Sequence, residues 1–216
     1  MYKVRKDILE FISSIDKRVT IVAATKYLKA DEMVHLYEAG ISNFGENRVE
    51  DFLNKTATLQ NKDIVWHFIG HLQRNKAKKV IDKINYLHSL DSLSLAHLID
   101  KYRSSPLNCF IEVSINLEEN KNGVPYYELV DFIKELLPLK NIHIVGLMMM
   151  AKANSSNEEL HHQFKALKDL QIKIGEELNI DLPYLSMGMS GDYLIAISEG
   201  ATHIRLGRVL LEKEDN

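Results

Sequence analysis

The sequence predicts an α/β fold, a (β/α)8 TIM barrel in one domain spanning residues 1–216, with an extra helix at its N-terminus. Three observations predict it. Short apolar segments of strand character alternate with helix-patterned segments, eight times over, which argues a parallel sheet. No long linker or low-complexity tract interrupts them. The segment 20–27, Thr-Ile-Val-Ala-Ala-Thr-Lys-Tyr, is apolar on both faces without alternation, as a strand covered on both sides must be. An open doubly wound sheet is the alternative; it normally carries a glycine-rich first turn, and Thr25-Lys26-Tyr27-Leu28 has no glycine.

Residues 3–17 read as an opening amphipathic helix, with Val4, Ile8, Leu9, Phe11, Ile12 and Ile15 as its apolar set. The first strand is 19–26. Its helix, 30–39, has Asp31 and Glu32 in the first turn, Met33, Leu36 and Tyr37 as a stripe, and Gly40 as the stop. A short strand at 41–47 breaks at Gly45, and a helix follows over 47–57. The third strand is 65–70, with 71–81 a loop entering a helix; the fourth is 86–89, followed by a helix at 92–103. The fifth strand is 108–115. Pro125 then sits in the first turn of a helix reaching Leu137. The sixth strand, 142–148, precedes a long helix over 156–178. The seventh is 182–186, with a helix at 190–199, and the eighth is 202–206. The chain stops too soon after that strand for a full eighth helix, so the opening helix is expected to cover the gap or the barrel floor.

Composition narrows the function classes. A net charge of -3 argues against a generic nucleic-acid binder. The single cysteine, Cys109, excludes an intramolecular disulfide and a cysteine-based metal cluster, and reads as a buried inert thiol. Met1 to Arg18 has no apolar core of a signal peptide, and no apolar run approaches the ~20 residues of a membrane span, so a cytoplasmic protein is expected.

In a barrel, chemistry belongs on the loops after the strands. Those positions offer Lys26, then Asn43 and Asn47, His71 with Gln73 and Asn75, Ser89 with Asp91, Asn116 with Lys121, Met148 to Met150, Ser186 to Ser190, and Arg205 to Arg208. A lysine at a strand end with apolar residues behind it can act as an amine nucleophile toward an aldehyde; Lys26 otherwise only snorkels to solvent. The seventh loop, Ser186-Met187-Gly188-Met189-Ser190-Gly191-Asp192, places Ser190 at an expected helix start, where a hydroxyl and backbone N–H groups cradle phosphate. Gly207 and Arg208 add N–H groups beside it; Ser190 as a simple N-cap is the other reading. Alternation along the eighth strand puts His203, Arg205 and Gly207 on one face and Ile204, Leu206 and Arg208 on the other, so Arg205 enters the barrel and needs an acceptor. His67 and His71 straddle a strand end rather than one helix face and make a poor zinc pair; no metal site is assigned. The basic run 74–79 reads as a solvated helix start, His161 and His162 as incidental, and the three methionines as core and rim packing.

Assembled in order, these residues resemble the pyridoxal phosphate homeostasis protein family. The matching pieces are Ala24-Thr25-Lys26, Asn43-Phe44-Gly45-Glu46-Asn47, the run from Trp66 to Lys76, Glu119 with Lys121-Asn122-Gly123, Gly146-Leu147-Met148, Leu185 to Ser190, and Arg205-Leu206-Gly207. The resemblance implies a barrel like the N-terminal domain of alanine racemase (fold type III of the pyridoxal phosphate proteins) without its C-terminal β domain. It implies pyridoxal 5′-phosphate held as a reversible Schiff base on Lys26, Arg205 facing the pyridine nitrogen, Ser190 with the backbone of Gly207 and Arg208 on the phosphate, and Asn47 near the ring. Where the family usually carries a small hydroxyl residue this chain has Arg208. The implied role is intracellular vitamin B6 homeostasis by a non-catalytic monomer that hands the cofactor transiently to apo-enzymes, without nucleic acid or membrane. A racemase- or decarboxylase-type enzyme is the alternative; racemisation needs a second acid–base group, which the racemases take from their β domain. A cofactor-free adaptor or RNA-binding barrel using residues 74–79 is the third.

Overall fold

The computed structural model describes residues 2–60, 63–116 and 122–213. The chain opens with β1 (Tyr2–Val4) and α1 (Ile8–Ser14). Strand–helix units follow as β2 (Thr20–Ala24) and α2 (Ala30–Glu38), β3 (Asn43–Glu46) and α3 (Val49–Thr58), β4 (Val65–Phe68) and α4 (Arg74–Ala77), then β5 (Tyr86–Leu90) and α5 (Leu93–Tyr102). Next come β6 (Leu107–Ser114), the two-residue β7 (Val124–Pro125), α6 (Leu129–Leu136), β8 (Ile142–Met148) and α7 (Asn157–Leu178). The last elements are β9 (Tyr184–Met189), α8 (Tyr193–Ser198), β10 (His203–Leu206), a 3-10 turn at Arg208–Leu210 and β11 (Leu211–Lys213).

Strands β2, β3, β4, β5, β6, β8, β9 and β10 pair in that order, all parallel, and β10 returns to β2 with Ile204 opposite Ile21 and Leu206 opposite Ala23. This is the closed (β/α)8 barrel that the alternation predicts. Outward residues such as Phe44, Trp66, Phe68, Ile111, Leu147, Ile204 and Leu206 form the main core with the helices. On α6, Leu129, Ile133 and Leu136 are fully buried, each contributing roughly 1.5–3 kcal/mol. The long α7 starts at a capping box: the Glu159 N–H donates to Ser156 Oγ at 3.2 Å and the Ser156 N–H to Glu159 Oε2 at 2.6 Å. Among the described residues no helix is long and apolar enough to cross a membrane.

The opening residues depart from the predicted helix. Tyr2–Val4 pair antiparallel with Leu211–Lys213, Tyr2 opposite Lys213 and Val4 opposite Leu211. A partner strand from the far end of the sequence overrides local helical periodicity, and the helix begins only after Asp7, which Arg5 grips at 2.5 Å. Helix α1 sits in the outer ring: Phe11 meets Tyr193 of α8 edge-on, with ring centroids 6.1 Å apart, while Ile8 lies beside Glu32 and His35 of α2. It occupies the place an eighth helix would take. Pro125 also moves. It ends the short strand beside β6, where its missing N–H is tolerated at an edge, and a turn with Glu128 N–H bonded to the Pro125 carbonyl at 2.9 Å precedes α6.

Candidate functional site at the barrel mouth

Lys26 lies two residues past β2, in a turn closed by the Leu28 N–H on the Thr25 carbonyl at 2.9 Å. Alternation from Val22 through Ala24 turns Lys26 toward the mouth and Thr25 outward. Thr25 is fastened from the helix side. Its hydroxyl donates to Glu46 Oε1, and Lys55 of α3 donates to the Thr25 carbonyl at 2.7 Å and to Glu46 Oε1 at 2.5 Å. Thr25 and Glu46 are fully buried and Lys55 nearly so, so this ion pair holds the backbone on which Lys26 stands. Lys26 itself is exposed, its Nζ 4.8 Å from the Tyr27 ring centroid.

Beyond β9, Ser190 is not at a helix start. Helix α8 begins at Tyr193, and Asp192 closes the intervening turn by accepting the Met189 N–H at 2.5 Å. Ser190 Oγ instead accepts from the N–H groups of Gly207 at 3.1 Å and Val209 at 3.3 Å. The hydroxyl thus knits the seventh loop to the eighth, and Val209 supplies the second N–H where the sequence pointed to Arg208. Gly188 lets α8 pack closely on β9: its φ is +90°, and a Cβ there would stand 2.6 Å from that of Ala196.

A cavity of about 350 Å3 brings Lys26, Ser190, Arg205, Gly207 and Arg208 together, with Asp192 on its wall. Asn47 lines a separate cavity of about 460 Å3 instead, with Arg48, His71 and Lys76; Gly70 lets the chain close there, since a Cβ would come within 2.5 Å of the Asn47 carbonyl oxygen. Glu119 and Lys121 lie outside the described residues.

Arg205 is 5% exposed and donates from Nη1 to Ser186 Oγ at 2.6 Å and from Nη2 to the Met149 carbonyl at 2.9 Å. Burial lowers its pKa to about 10, against the pull of Glu112 and Asp192, so it stays charged at neutral pH. Burial, then the neighbouring Asp91 charge, raises Glu112 to about 7.

Behind Arg205 the barrel interior holds polar groups that single-residue reading of the sequence missed. His88 Nδ1 lies 2.7 Å from Ser186 Oγ, His88 Nε2 lies 2.8 Å from His67 Nδ1, and His67 Nε2 lies 3.0 Å from Asn43 Oδ1. His203 packs beside them against Phe110 and Tyr184. Burial dominates all three rings: it lowers His67 to about 3, His203 to about 4, and His88 well below the ordinary range. The usable signal is positional, because His67, His88 and His203 sit at inward positions of barrel strands.

The remaining candidates scatter. His71 lies at the rim, 3.3 Å from Asp91, apart from the interior His67. Among the described residues no group of three His, Cys, Asp or Glu could hold a metal ion. Cys109 is fully buried beneath the helices, and burial pushes its thiol up. In the basic run, Lys76 pairs with Glu50 at 3.3 Å and Lys78 lies over the Tyr102 ring at 3.7 Å. His161 contacts Glu199 at 2.6 Å and so ties α7 to the end of α8. Met148 and Met149 are buried and Met150 is exposed.

Residues 6–213 match the family described as alanine racemase, N-terminal domain. A pyridoxal phosphate homeostasis protein from Synechocystis is 40% identical over 206 residues, which cover 93% of this chain and 94% of that protein. The chain belongs to the pyridoxal phosphate homeostasis protein family. The structure of PipY from Synechococcus elongatus with pyridoxal phosphate bound superposes with a TM-score of 0.87 at 31% identity, covering 94% of this chain and 99% of that one. An alanine racemase from Clostridium difficile shares the barrel alone: TM-score 0.77, 15% identity, all of this chain and 59% of the racemase. Family members and racemase barrels thus share one architecture, on which this chain carries its own lysine, arginine and serine at the mouth.

Proposed function

We propose that the protein binds pyridoxal 5′-phosphate at the barrel mouth, linked reversibly to Lys26, and stores and delivers it in vitamin B6 homeostasis. One observation carries this reading: a single cavity gathers Lys26, Arg205, Ser190, Gly207 and Arg208. The donor set fits the group, with an amine for an aldehyde, a guanidinium for a ring nitrogen, and the Ser190 hydroxyl with the Arg208 charge for a phosphate. The bound group supplies an aldehyde whose condensation with the Lys26 amine releases one water and is undone by its return. Arg205, a donor only, favours an unprotonated ring nitrogen and so weakens the ring as an electron sink. Ser190 Oγ, held by the Gly207 and Val209 N–H groups, has its hydroxyl proton left for the anionic end, and the exposed Arg208 adds positive charge beside it.

Storage rather than turnover is supported by the exposure of Lys26 at the rim, where solvent and a recipient reach the linkage directly. In this reading the protein acts as a cytoplasmic monomer and meets apo-enzymes transiently. The test is absorbance of the protein with pyridoxal phosphate before and after borohydride, with the label mapped by mass spectrometry. A visible band removed by borohydride, with the label on Lys26 and absent from Lys26→Ala, is the expected result. Absence of both band and label sinks the reading, and amino-acid turnover by the loaded protein replaces storage with catalysis.

A further inference from the structure

The polar groups inside the barrel form one chain, and one direction along it uses every donor in line. Arginine only donates, so Ser186 Oγ accepts from Arg205 Nη1 at 2.6 Å. The serine proton is then free for His88 Nδ1 at 2.7 Å. That puts the His88 ring proton on Nε2, which donates to His67 Nδ1 at 2.8 Å. The His67 proton falls on Nε2 and goes to Asn43 Oδ1 at 3.0 Å. The opposite tautomers would make Ser186 Oγ accept from Arg205 and His88 together and leave the serine proton without a place in the chain, so the ring tautomers distinguish the two directions. A proton added to His67 goes on Nδ1 and sets two N–H groups against each other between the rings, whereas one added to His88 goes on Nδ1 and displaces the proton that Ser186 donates there.

The rings have little freedom to leave this arrangement. His67 stacks on Tyr86 at 4.6 Å and 5°, and the His88 centroid lies 4.4 Å from that of Phe110. His67, His88 and Ser186 are all at most 1% exposed, so water does not compete for their donors and acceptors. The Met149 carbonyl makes the second hold on the guanidinium. Two of the five guanidinium N–H groups are thereby committed to the protein, and the plane that presents the others to the cavity is set.

We propose that Ser186 and His88, braced by His67 and Asn43, are positioning residues that orient Arg205 for a bound aromatic heterocycle with an unprotonated ring nitrogen. The inference rests on the cofactor reading above and deepens it. It assigns a role to strands β3, β4, β5 and β9, none of which supplies the lysine or the arginine. Simple core filling is the competing account: it predicts that variants lose stability without any change in a bound ligand.

The experiment has an arm without cofactor and an arm with it. In the protein alone, side-chain 15N NMR at neutral pH is expected to find His67 and His88 both neutral with the proton on Nε2. A proton on Nδ1 of either ring overturns the chain. With pyridoxal phosphate, Ser186→Ala and His88→Leu are expected to raise Kd about tenfold, the scale of one hydrogen bond to a charged group. Both are expected to move the visible band, and His88→Gln, which keeps a donor and an acceptor, to recover most of the loss. Folded Ser186→Ala and His88→Leu proteins with wild-type Kd and spectrum overturn the proposal. If His88→Leu does not fold, Ser186→Ala, which removes one oxygen, decides alone. Failure of the wild type to take any label at Lys26 counts against the cofactor reading, whereas wild-type labelling with indifferent variants counts against the positioning chain only.

Discussion

Lys55 donates from Nζ to the carbonyl oxygen of Thr25 at 2.7 Å, so a side chain on α3 holds the residue next to Lys26. The same ammonium lies 2.5 Å from Glu46 Oε1, while Glu46 Oε2 has no hydrogen-bond partner among the described residues. The carboxylate is fully buried, with Lys55 as its charged partner.

Lys55→Met is therefore expected to destabilise the fold by about 3–5 kcal/mol, the usual cost of stranding one member of a buried pair. Lys55→Met with Glu46→Gln is expected to recover part of that loss, because the stranded charge is gone. Urea unfolding of both proteins measures this. Equal stability of the single and double variants would show that the pair is not electrostatically coupled.

Acid is expected to weaken the fold early. His67 and His203 titrate near 3 and 4 in the fold and His88 well below its ordinary range, against 6.5 in an unfolded chain. As pH falls through 6.5 the unfolded state takes up these protons and the native state does not, so stability drops. Glu112 opposes this: raised from 4.5 to about 7, it holds a native-state proton that the unfolded chain lacks between those values. Arg205 faces the same interior and stays charged throughout. Three histidines against one carboxyl leave two net protons, or about 3 kcal/mol lost per pH unit between 6.5 and 4.5. Urea midpoints from pH 8 to 4.5 check the slope, and His203→Asn is expected to reduce it by one proton. A flat profile between pH 7 and 5 contradicts neutral buried rings.

The barrel was legible because its signals are local. Apolar runs such as 142–148 and helix punctuation such as Gly40 or the Ser156–Glu159 box act within a few residues, and the structure follows them closely. What stayed hidden depends on residues far apart in the chain. Lys3 and Val4 read as helix until Leu211–Lys213 is alongside. Ser190 reads as a cap, yet its acceptor serves Gly207 and Val209. Lys26, Ser190, Arg205, Gly207 and Arg208 were legible as rim residues because strand ends in a barrel converge, and their shared cavity follows from that topology. The interior chain was not, since each histidine finds its partner on a different strand.

Gly188→Ala is expected to cost roughly 2–4 kcal/mol, from a positive φ and from overpacking against Ala196 together. The site suffers with it, because α8 moves away from β9 and carries the Ser190 turn along. Thermal unfolding and a pyridoxal phosphate titration on the same protein measure both. A variant of wild-type stability refutes the packing argument.

Arg208 separates charge from geometry at the phosphate end. The node that ties the two loops is Ser190 Oγ with the N–H groups of Gly207 and Val209, and the Arg208 side chain is exposed. Ser190→Ala is expected to weaken pyridoxal phosphate binding about tenfold at any salt, because it removes an oriented group from a partly buried node. Arg208→Ser restores the small hydroxyl residue usual in the family and is expected to weaken binding only a few-fold, and only at low salt, since an exposed charge acts through solvent and is screened within ~10 Å at 0.1 M. Titrations of both variants at low and at high salt distinguish the two roles. A salt-independent loss in Arg208→Ser instead makes the guanidinium a direct phosphate ligand, and tighter binding in that variant means that its bulk obstructs the cavity.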